Sequence, residues 1–66
     1  MNREELRAEI ARKQITKRTK AKALEISDTS LALKMRGVRE FKESEIRGLI
    51  WVLDLTPEDV QRIFLS

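Results

Sequence analysis

Sixty-six residues carry fourteen lysines and arginines against eleven acids, a net charge of +3, with no cysteine and no histidine. That length allows one domain, 1–66, near the lower limit of what folds without a staple, and the missing cysteines exclude a disulfide framework. Without histidine or cysteine, a zinc site is not expected. No nucleophile can be paired with a base either, so neither an enzyme nor a cofactor or metal protein is expected.

Asn2 followed by Glu5 resembles a capping box and predicts a first helix from about 3 to 13. Leu6 and Ile10, four apart, mark its buried stripe, with Ala11 beside them. Thr16 caps a second helix over roughly 17 to 24 that buries Ala21 and Leu24. Ser27 caps a third, roughly 28 to 36, that buries Leu31 and Met35, and Gly37 stops it. Two short helices joined by a tight corner, about 17–36, form a helix-turn-helix, whose second helix enters the major groove of DNA. Double-stranded DNA is therefore the expected partner.

In the loop 37–42, Phe41 is the expected anchor into the core. A fourth helix begins near Glu43, with Ile46, Leu49, Ile50 and Leu53 in the i, i+3, i+4, i+7 pattern of one buried face. Thr56-Pro57-Glu58-Asp59 supplies a cap, a proline at the first helical position and acids for the helix dipole. A fifth helix then runs to the end with Val60, Ile63 and Phe64 inward. The expected fold is all-α, with Leu6, Ile10, Ala21, Leu24, Leu31, Ile46, Leu49, Ile50 and Leu53 as its core.

The positive charge is unevenly distributed. Arg12, Lys13, Lys17, Arg18, Lys20 and Lys22 follow one another without an acid, and Lys34, Arg36, Arg39 and Lys42 form a second group around Glu40. Such a footprint suits a polyanion. Lys17 and Arg18 stand at the positive end of the second helix, where cations are disfavoured unless a phosphate docks there. The expected phosphate contacts are Lys17, Arg18, Ser27, Arg36, Arg39 and Lys42. On the third helix Asp28, Thr29, Ala32 and Leu33 turn outward and are the expected base contacts. Aspartate accepts from cytosine N4, while Thr29, Ala32 and Leu33 suit a thymine methyl. Trp51 falls off the fourth-helix stripe. With Ile63, Phe64 and Leu65 it is a candidate protein interface, the alternative being that it folds against the fifth helix.

These residues resemble the phage repressor and Cro helix-turn-helix family over nearly the whole chain. The family's caps, core positions and terminal glycine correspond to Thr16, Ala21, Leu24, Ile26, Ser27, Leu31 and Gly37, and EIRGLIWVLDLTPEDVQRIF looks like its fourth and fifth helices. The resemblance implies a five-helix lambda-repressor-like domain acting as a small transcriptional switch of a phage or mobile element, bound to operator DNA as a homodimer. Four positions depart from the family pattern. Glu25 stands where glycine is preferred in the turn, Lys20 replaces an apolar residue, Lys17 a glutamine and Arg36 an asparagine. The alternative function is an antirepressor or modulator that binds a companion repressor through the same fold. No signal peptide or membrane span is legible. A cytoplasmic protein of a bacterial host is therefore expected, associated with the nucleoid when bound to DNA, with neither a membrane nor a small-molecule substrate as partner.

Overall fold

The computed structural model describes residues 1–65, the side chain of Lys17 excepted. Five helices and no strand occur among the described residues: α1 (Arg3–Lys13), α2 (Lys17–Leu24), α3 (Asp28–Met35), α4 (Glu43–Val52) and α5 (Pro57–Phe64). Each begins where local chemistry satisfies the free N–H groups of a first turn. Asn2 Oδ1 accepts from the Glu5 N–H, Thr16 Oγ1 from Thr19 and Ser27 Oγ from Ser30. At α5 the capping is reciprocal: Thr56 Oγ1 accepts from the Asp59 N–H, and Asp59 Oδ2 from the Thr56 N–H. The capping box expected at α1 is only half formed, because the Glu5 carboxylate turns instead to Arg62.

Four helices end alike. After α1, α2, α3 and α4 the chain closes with paired backbone hydrogen bonds, Gln14 to Ala11 and Ile15 to Ile10, then Glu25 to Lys22 and Ile26 to Ala21. Gly37 to Lys34 with Val38 to Leu33, and Asp54 to Trp51 with Leu55 to Ile50, complete the set. These are Schellman motifs, which need a left-handed residue at the turn. Gly37 adopts it freely at φ +84°, but Gln14, Glu25 and Asp54 adopt it with side chains, at +56°, +58° and +51°. The apolar residue that follows is packed against the core at Ile15, Ile26 and Leu55, whereas Val38 is exposed.

The core consists of Leu6, Ile10, Ala21, Leu24, Leu31, Phe41, Leu49, Leu53 and Ile63, with Met35, Ile46, Val52 and Phe64 among the partly buried residues against it. Phe41 is the anchor the loop was expected to supply. Five expected positions need correction: Ala11 is exposed, Met35 and Ile46 are only half-buried, and Ile50 and Val60 are half-buried and outside the cluster. For Ile46 and Ile50 the cause is the phase of α4. Its inner face runs through Glu45, Gly48, Leu49, Val52 and Leu53, which carries Ile50 to the flank.

That phase seats Gly48 on α2. A β-carbon at Gly48 would lie 2.6 Å from Leu24 Cδ2 and 3.3 Å from the Ala23 carbonyl oxygen, so a side chain there would displace the buried Leu24 and press on the α2 backbone. Alanine is the better helix former by about 1 kcal/mol, yet overpacking a filled contact costs about 1–3 kcal/mol. We expect Gly48→Ala to lower stability in urea unfolding despite its better propensity. A stabilised variant would show that α2 and α4 are free to separate.

Candidate nucleic-acid interface

Helix α3 is anchored at its C-terminal half from two sides. From α1, Arg3 Nε donates to the Lys34 carbonyl at 2.9 Å and Arg7 Nη2 to the Met35 carbonyl at 2.9 Å, placing guanidinium charge on the negative end of the helix dipole. From α4, Glu45 Oε2 receives the Lys34 ammonium at 2.5 Å, both side chains being buried. The other oxygen of Glu45 accepts from the Lys42 N–H at 2.7 Å. Lysine has no acceptor to offer in return, so Glu45 alone caps α4 while also holding α3. Among the described residues no buried polar side-chain atom lacks a partner.

Two of the predicted base contacts are fully open. Asp28 and Thr29 are exposed on the first turn of α3, and Ala32 and Leu33, one turn further, are half-buried, Leu33 standing outside the core cluster. Of the predicted phosphate contacts, Arg18, Arg36, Arg39 and Lys42 are exposed and form no ion pair among the described residues, although the charge of Lys42 acts on Glu45; Lys22 is likewise exposed without an ion pair. Ser27 is exposed, its oxygen serving as the α3 cap and its hydroxyl proton still available to donate. The side chain of Lys17 lies outside the described residues. Lys34 leaves the expected basic group altogether, since it is buried against Glu45.

Lys20 is also buried, where an apolar residue was expected. It lines a cavity of about 290 Å³ with Arg7, Asp28, Leu31, Ala32 and Arg36, its aliphatic stem serving as packing surface between α2 and α3. The apolar patch expected at the C-terminus is divided. Ile63 is fully buried and belongs to the core, Phe64 is half-buried against it, and Leu65 is 74% exposed. Trp51 is 80% exposed, so it does not fold against α5. Among the described residues no three or more Asp or Glu side chains gather as metal ligands, and no helix is long and apolar enough to cross a membrane.

A second charged network joins the two chain ends. Arg62 on α5 binds Glu5 and Glu9 of α1 and Asp59 of its own helix, and Glu9, itself buried, also receives Arg12. Lys13 Nζ reaches the Leu53 carbonyl at 2.7 Å, fastening α1 to the end of α4. The residues missed in the sequence were Arg3, Arg7, Glu9, Lys34 and Glu45. A signal for the last two was present: Lys34 lies three residues from Leu31 and Glu45 four from Leu49, so opposite charges share the phase of two buried faces.

The chain belongs to the family described as "Protein of unknown function (DUF739)", which matches residues 2–66. No curated protein and no solved structure matches it.

The two acid networks give the domain a pH dependence of definite sign. At Glu45 burial pushes the carboxyl up, but the Lys34 ammonium, the Lys42 N–H and both lysine charges together bring it below its usual 4.5. The Thr56 N–H and the Arg62 guanidinium lower Asp59 from 3.8 to about 2. Both groups are more acidic folded than unfolded, so their stabilisation is complete above about 4.5 and is lost as pH falls toward 2. Urea midpoints measured from neutral pH downward should be level and then fall through that window. A midpoint that rises on acidification would contradict the pairing.

Proposed function

We propose that this chain is a sequence-specific double-stranded DNA-binding transcriptional regulator, with α2, the corner and α3 acting as a helix-turn-helix of the phage repressor and Cro type. The observation that carries the reading is the contrast between the two ends of α3. Its C-terminal half is tied down by Arg3, Arg7 and Glu45, while Asp28 and Thr29 of its first turn are exposed, and Arg18 on α2 and Arg36, Arg39 and Lys42 after α3 are exposed and form no ion pair among the described residues. A helix that reads bases must be held rigidly while offering its N-terminal outward residues.

In this reading Asp28, Thr29, Ala32 and Leu33 face base edges in the major groove. Arg18, Ser27, Arg36, Arg39 and Lys42, with Lys17 at the start of α2, bind phosphates on either side. Phosphate contacts set register and affinity, and the α3 residues set preference among sequences. A homodimer placing two α3 helices one DNA turn apart, roughly 34 Å, would read a palindromic operator.

The alternative reading is a modulator that binds a companion repressor. It is favoured by one feature of the same surface: Glu25 in the corner and Asp28 on the first turn of α3 are exposed acids where phosphates would approach. Fluorescence anisotropy on the intergenic DNA beside its own gene, with and without the adjacent repressor, separates the two. The regulator reading expects binding that falls steeply with salt, the log–log slope shrinking by about 0.9 for each of Arg18→Ala, Arg36→Ala and Arg39→Ala. Thr29→Ala and Leu33→Ala should alter preference among operator variants more than overall affinity. Absence of DNA binding, together with capture of the repressor, would favour the modulator instead.

A further inference from the structure

A second surface lies away from the first turn of α3. Along the groove between α2 and the end of α4, about 510 Å³ in volume, Arg18, Thr19, Lys22 and Ala23 face Trp51 and Val52. Its apolar lining is dominated by an indole that is 80% exposed, and beside it stand two cations, Arg18 and Lys22, without an ion-pair partner among the described residues. A large exposed aromatic flanked by unneutralised charge costs solubility and contributes nothing to the core. It is the composition of an interface centre with a charged rim.

The charge pattern selects the occupant. A second copy docked symmetrically about Trp51 would bring Arg18 and Lys22 of each copy toward those of the other, a like-charge juxtaposition that opposes association. Duplex DNA satisfies the cations but presents hydrated phosphates and sugars to the indole, leaving the apolar lining without a counterpart. We infer that this groove docks an acidic amphipathic segment of another protein, with an apolar side chain on Trp51, Ala23 and Val52 and carboxylates on Arg18 and Lys22. The inference does not need the DNA reading, although Arg18 serves both, so the segment and DNA would compete for that residue.

Trp51 is the chain's single tryptophan and there is no tyrosine, so its emission reports directly on the groove. The full chain would be titrated with a panel of short synthetic helical peptides with leucine or phenylalanine at i, i+3, i+4 and i+7 and glutamate elsewhere. In parallel runs it would be titrated with the same peptides bearing serine at the apolar positions, and with duplex DNA. A saturable blue shift is expected with the acidic amphipathic peptides alone. Affinity, read by anisotropy of labelled peptide, should fall about tenfold or more in Lys22→Glu and about thirtyfold in Trp51→Ala. Both sites are exposed, and circular dichroism of each variant confirms that it is folded. The inference is overturned if no peptide of the panel shifts the emission, or if the serine peptides shift it equally. A shift that grows with protein concentration alone would make the occupant a second copy, and one produced by DNA alone would make it nucleic acid.

Discussion

The crossing of α2 and α4 at Gly48 constrains the rest of the domain. The helices approach until a β-carbon at that position would meet Leu24 Cδ2 and the Ala23 carbonyl. With the helices this close the Glu45–Leu49–Leu53 side of α4 faces inward, and from that side Glu45 meets Lys34. The position of α3 follows. Leu31 packs into the core formed by the other helices, and Lys34 finds its counter-ion without leaving a buried charge alone. Removing one partner of a buried pair costs on the order of 3–5 kcal/mol, a large share of what so small a domain has available.

The same small domain tolerates strain elsewhere. Three of its four Schellman turns place a side chain in the left-handed region, at a cost on the order of 1 kcal/mol each. The paired backbone hydrogen bonds and the apolar residue beyond the turn offset that cost at Ile15, Ile26 and Leu55. Glu25 is the instance that sits in the corner between α2 and α3, where it also brings a negative charge. Glycine would relax the backbone and remove the charge, so the corner's residue type bears on both the geometry and the electrostatics of that turn.

Helix boundaries were legible in the sequence because their causes are local. Thr16, Ser27 and Thr56-Pro57 act within three residues of themselves, and Gly37 acts at its own position. The off-stripe position of Trp51 was legible from helical phase, and Phe41 from being the one aromatic residue in its loop. What was not legible depends on partners distant in the chain. Arg3 meets the Lys34 carbonyl thirty-one residues away and Arg62 meets Glu5 fifty-seven away. Counted in sequence, Lys34 is one more cation of a basic run; in the fold it neutralises Glu45 and is withdrawn from any ligand. Ile50 fits the apolar stripe as well as Leu49 does, and only the crossing at Gly48 decides between them. Ile63 and Leu65 look alike in composition, yet one is core and the other surface.

The central proposal is that α3 offers its first turn, together with the exposed cations of α2 and of the segment after α3, to duplex DNA. Amide chemical-shift mapping of the labelled chain, titrated with its neighbouring intergenic duplex, tests this most directly. The account predicts perturbations at residues 17–18, 27–33 and 36–42, with α5 and the inner face of α4 unchanged. Perturbations confined to Trp51 and the α4 end, or none at all, would contradict it.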